Sequence, residues 1–75
     1  MHEDKNLSEK TYMKVRLFRL AQEQWNLNFK QCSDLFNQYH LYDVIDDLYE
    51  EFHVQGDNVN LDELQEIIEK QGGTI

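Results

Sequence analysis

The chain has 75 residues, of which 40% are hydrophobic, 12% aromatic and 29% charged, and its formal net charge is −8. That is apolar material for one core and not two, and too much for a disordered chain. No apolar run approaches the roughly 20 residues that span a bilayer, and Met1-His2-Glu3-Asp4-Lys5-Asn6 lacks the regions of a standard signal peptide, so neither a membrane anchor nor secretion is expected.

No proline occurs, so Gly, Asn, Asp and Ser must end the helices. Periodicity and capping signals predict an all-α fold of four helices with short capped turns. A single domain over residues 8–71 is expected between flexible ends at 1–7 and 72–75. The first helix runs from a Ser8 cap to Trp25 or Asn26. Met13, Leu17, Leu20 and Gln24 share one face, with Phe18, Ala21 and Trp25 adjoining. This stripe is wider than a surface helix needs, so the helix is central or is covered by a second chain. The second helix starts at Asn28, where Gln31 three residues on completes a capping-box pattern and Leu27 with Cys32 makes a hydrophobic staple. Phe29, Cys32, Leu35, Phe36 and Tyr39 follow at helical spacing. A third helix is capped by Asp43, with Val44, Ile45, Leu48, Tyr49 and Phe52 inward and Asp43, Asp46, Asp47, Glu50 and Glu51 outward. Gly56 then reads as a left-handed turn residue, flanked by Val54 and Val59 in a pattern compatible with a short extended pair. Asn60 and Glu63 repeat the capping box for the fourth helix, whose Leu61, Leu64, Ile67 and Ile68 face inward, and Gly72 stops it.

The charge is unevenly distributed. Residues 1–30 carry six Lys and Arg against four acids, a balance of +2, whereas residues 31–75 carry one Lys against eleven acids, a balance of −10. Such a surface repels a phosphate backbone, so direct nucleic-acid binding is not expected. It attracts a basic partner protein. Solubility alone also accounts for many acidic residues.

Specific chemistry is sparse. Asn58, Asn60, Asp62, Glu66 and Glu69 fall at the first, third, fifth, ninth and twelfth places of a calcium loop, but the sixth place holds Glu63 where glycine is required. Cys32, His40, His53 and His2 lack the close spacing of a zinc site. A Cys-His pair is available on paper, but there is no phosphate loop and no nucleophile elbow, and a chain this short has little room for a substrate pocket. No catalytic residue, metal or cofactor is therefore expected. Like charges at Asp46, Asp47, Glu50 and Glu51 weaken an isolated helix by a few tenths of a kcal/mol per pair. A recognition surface has that appearance. His53 near the helix end favours its carbonyl dipole, and Tyr39, Tyr42 and Tyr49 offer aromatic edges to an Arg-rich partner. The candidate partner-binding set is Tyr42, Asp43, Asp46, Asp47, Glu50, Glu51 and His53.

The stretches Asp34-Leu35-Phe36-Asn37-Gln38-Tyr39, Tyr42-Asp43-Val44-Ile45 and Leu48-Tyr49-Glu50-Glu51-Phe52-His53-Val54-Gln55-Gly56, followed by a helix from Val59 to Glu69, resemble a small bacterial family known as domain of unknown function number 3791. The resemblance spans about residues 12 to 70. It implies a helical protein encoded near others, including some similar to ADP-ribosyltransferase-like toxins, and hence an antitoxin, immunity protein or regulatory partner. It carries over no catalytic residue. Where the family pattern reads Leu-His-Thr-Gln, this chain has Phe52-His53-Val54-Gln55, so a hydroxyl is missing at Val54.

The lone Cys32 fits a reducing compartment, and a cytoplasmic protein-binding module without chemistry of its own is the expected function. It would occlude a basic site with the acidic helix. One rival is a phage- or mobile-element-encoded mimic of nucleic acid that blocks a host enzyme. Another is a homodimer joined through the first helix.

Overall fold

A computed structural model describes residues 2–75, with side chains from Glu9 onward. Five helices follow one another: α1 (His2–Gln24), α2 (Phe29–Gln38), α3 (Leu41–Asp47), α4 (Tyr49–Val54) and α5 (Asp57–Lys70). The fold is all-α. The side chains of residues 1–8 lie outside the described residues, including Ser8 as a cap and His2 as a zinc ligand. The α1 backbone is helical from His2, so Ser8 stands inside the helix rather than at its start.

The core is drawn from every helix. Met13, Leu17, Phe18, Ala21 and Trp25 of α1 and its end meet Cys32 and Phe36 of α2, Leu41 and Ile45 of α3, Tyr49 and Phe52 of α4, and Leu61, Leu64 and Ile68 of α5. Each large apolar side chain buried here contributes roughly 1.5–3 kcal/mol. The wide stripe of α1 is thus explained within one chain: α1 packs against α2, α3 and α5. Leu20 is only partly buried and Gln24 is exposed, so the inward face of α1 is turned toward Phe18, and Ile67 of α5, also expected inside, is only partly buried. Phe29, expected inside, is 69% exposed.

Helix starts are partly local. Asn28 accepts from the Gln31 amide at 2.8 Å, and the Gln31 side chain accepts from the Asn28 amide at 3.0 Å, which completes the expected capping box. The other starts differ. His40, in the left-handed region at φ 55°, precedes α3, and Asp43 lies in its first turn, where its charge suits the dipole. The expected third helix breaks at Leu48 into α3 and α4, so the described residues form five helices instead of four. Among the described residues no strand forms around Val54 and Val59, because Val59 is already inside α5. Gly56 is extended, at φ −74° and ψ 158°, rather than left-handed.

Asn60 is not a cap. It is fully buried in the second turn of α5. Its Nδ2 donates to the Phe52 carbonyl at 3.0 Å, and its Oδ1 accepts from Gln55 Nε2 at 3.0 Å. Gln55 Nε2 also reaches Glu63 Oε2 at 3.2 Å. The end of α4 leaves carbonyls without helical partners, and Asn60 supplies one of them with a donor.

The stops of α1 and α5 follow one pattern. After α1, Asn26 takes φ 56°, its amide donates to Glu23, and the next amide, Leu27, donates back to Gln22. After α5, Gly72 takes φ 87°, its amide donates to Glu69, and Gly73 donates to Ile68. Both are Schellman closures, and Gly72 is the stop that the sequence predicts. No helix among the described residues is long and apolar enough to cross a membrane.

Candidate functional site

The α3–α4 pair carries six of the seven expected partner-binding residues as charged or imidazole groups and Tyr42 as the seventh. Asp43, Asp47, Glu50 and Glu51 are exposed. Among the described residues, no Lys or Arg lies within ion-pair distance of these four, and Asp43 faces only the imidazole of exposed His40 at 3.9 Å. His53 lies in the last turn of α4, exposed, with its ring stacked on Tyr49 at 5.5 Å between centroids. These five residues form a single outward strip.

Asp46 and Tyr42 do not belong to it. One helical turn apart, they point toward α1. Lys14 Nζ donates to Asp46 Oδ2 at 2.9 Å, which neutralises the charge that was expected to face a partner. Tyr42 is half-buried against aromatic rings, stacked on Phe18 at 6.5 Å and tilted on Phe36 at 5.1 Å. Burial, and then the neighbouring Cys32, push its hydroxyl pKa up. The signal that separates these two from the strip is the i, i+4 spacing combined with a cation on α1.

Further polar contacts bind α1 to the acidic half of the chain. Arg16 Nη2 donates to Asp57 Oδ1 at 3.2 Å. The Tyr49 hydroxyl donates to Glu9 Oε1 at 2.9 Å, and Lys10 lies over the Tyr49 ring at 5.8 Å. The hydrogen bond to Glu9, and then burial, raise the Tyr49 pKa. The basic first helix and the acidic remainder therefore attract each other within one molecule.

The other candidate chemistries have different geometry. Cys32 is fully buried, its thiol 3.7 Å from the Phe18 carbonyl, and burial pushes its pKa up to about 11. A thiol in that state is protonated and a poor nucleophile. Among the described residues no three His, Cys, Asp or Glu side chains come together to hold a metal ion. Asn60, a member of the calcium pattern, has its side chain turned into the core.

Sequence reasoning missed one feature. A groove of about 350 Å³ lies between α1 and the α2–α3 region, lined by Val15, Phe18, Arg19, Gln22, Phe29 and Tyr42. Its signal was the row of exposed Tyr12, Val15 and Arg19 and half-buried Gln22 at helical spacing on α1.

No family model, no curated protein and no solved structure matches this chain.

Proposed function

We propose that the protein is a non-enzymatic docking module of the cytoplasm that binds a basic partner protein through the outward strip of α3 and α4. Asp43, Asp47, Glu50 and Glu51 would meet Arg or Lys side chains of the partner, with His53 at the end of the strip. The observation that carries this reading is the contrast within one helix pair. Asp46 has its cation in Lys14, whereas Asp47, Glu50 and Glu51 have no Lys or Arg in range among the described residues. Like charges left together on two short helices lower helix stability, and a cationic partner removes that cost. The resemblance to the domain-of-unknown-function family favours an antitoxin, immunity or regulatory role for such a module in a bacterium.

The test compares the wild-type chain with a variant carrying Asp43→Lys, Asp47→Lys, Glu50→Lys and Glu51→Lys. Circular dichroism establishes that the variant is folded. Affinity capture from the cells that encode the protein, followed by mass spectrometry, should recover a basic protein with the wild type and not with the variant. Binding should weaken as salt rises. Equal recovery of the same partner by both forms removes the strip from the mechanism. Competition by duplex DNA for the recovered partner would make the protein a mimic of nucleic acid instead.

A further inference from the structure

We infer that the outer face of α1, with the groove beside it, is a self-association surface on which a second copy of this chain docks about a twofold axis. Tyr12 is 64%, Val15 46% and Phe29 69% exposed. Val15 and Phe29 line the groove, where Phe29 lies 5.4 Å from Phe18 and Tyr42 stacks on the same ring, while Tyr12 stands one turn before Val15 with the Arg16 guanidinium 5.5 Å over its ring. Exposed aromatic and branched side chains around a concave apolar floor form an incomplete core, and Arg19 at its edge adds the residue type most often found with aromatics at interfaces.

Charge selects the occupant. Two copies carrying −8 each repel over most of their surfaces, because residues 31–75 hold the −10. The α1 face is the exception. It presents exposed Arg19 and exposed Glu23 one turn apart, a locally neutral pair. In an isologous contact, residue i meets residue j and j meets i. Antiparallel α1 helices crossing near Ala21–Gln22 place Arg19 of each copy beside Glu23 of the other. The same crossing brings Val15 of one copy toward the turn that leads to Phe29 of the other. One symmetry operation thus satisfies both charges twice and covers the exposed apolar residues. The row from Tyr12 to Gln22 is about 15 Å long. That is a small interface, and small interfaces belong to weak, reversible assemblies.

Sedimentation velocity and light scattering on the full chain, from about 1 µM to about 500 µM, read the assembly state. The expected result is a mass rising toward twice 9.1 kDa, with a dissociation constant on the order of tens of micromolar. Phe29→Ser should shift the midpoint upward by about tenfold or more. Arg19→Glu and Glu23→Arg should each weaken association by about tenfold, because each creates two like-charge contacts across the axis. The double variant Arg19→Glu/Glu23→Arg should return to within about threefold of the wild type. All these positions are exposed, so the variants remain folded, and circular dichroism verifies it. A mass of 9.1 kDa at every concentration overturns the inference and leaves the groove to a different partner. A dimer that persists in both single charge variants, or that the double variant does not restore, overturns the twofold α1 geometry.

Discussion

Asn60 Nδ2, buried within α5, donates to the carbonyl of Phe52 in α4 at 3.0 Å, so the end of one helix is closed from inside the next. Gln55 completes the link by donating to Asn60 Oδ1, and the turn between α4 and α5 is thereby held by side chains in place of a tight backbone turn. Removing the amide leaves a buried carbonyl without its donor and opens a small void. Asn60→Ala should lower the unfolding free energy by about 2–3 kcal/mol, measured by urea unfolding. Gln55→Ala, which removes only the outer bonds, should cost about 1 kcal/mol.

His40 is held at φ 55° between α2 and α3, a conformation that costs a β-carbon-bearing residue about 1 kcal/mol. Its imidazole is exposed and its contact with Asp43 is long, so little is lost with the side chain. His40→Gly should therefore raise stability by about 0.5–1 kcal/mol, read as a shift of the urea midpoint at unchanged slope. A loss of stability would show that the imidazole contributes more than the backbone strain.

Gly73 lies against the side chains of Tyr39 and Ile68, and a β-carbon there would overlap the Tyr39 ring and the Ile68 methyl. Gly73→Ala should destabilise by about 1–3 kcal/mol through overpacking. Gly72→Ala meets open space but a left-handed φ, and should cost about 1 kcal/mol. Thermal unfolding of the two variants separates the steric cause from the conformational one.

Burial of Cys32 makes the fold sensitive to alkaline pH. The thiol pKa is about 11 when folded against 9.0 when free, so the folded chain holds the proton more tightly than the unfolded one. The corresponding stability is present in full below pH 9 and is lost as pH rises through about 11. Tyr42 and Tyr49, also shifted upward, act in the same direction above pH 10. Unfolding free energies across this range should fall for the wild type and fall less steeply for Cys32→Ala. At neutral pH the folded protein should react with a thiol reagent far more slowly than the urea-unfolded chain.

The elements that could be read from sequence were those fixed by neighbours. The Asn28–Gln31 box is complete within four residues, and Gly72 needs only its own missing β-carbon. Asn60 shows the limit. Asn followed three residues later by an acid is a capping signal, but the same residue can turn inward when a preceding helix ends beside it, and only the tertiary fold decides. The break at Leu48 has no glycine or proline to mark it. For the candidate site, the acidic strip of Asp43, Asp47, Glu50 and Glu51 was legible because exposed charge is patterned along the chain. Asp46, read as facing outward, turns instead to Lys14, a contact the local pattern does not reveal because the two are 32 residues apart.

Three helices end at residues with positive φ: Asn26, His40 and Gly72. Punctuating the chain in this way takes the place of proline, of which there is none. Refolding accordingly lacks the slow prolyl isomerisation that runs over roughly 10–100 s at room temperature. After dilution from denaturant the helices can assemble without waiting for a peptide bond to rotate, and the native state should be regained in a fast kinetic phase with no proline-limited tail.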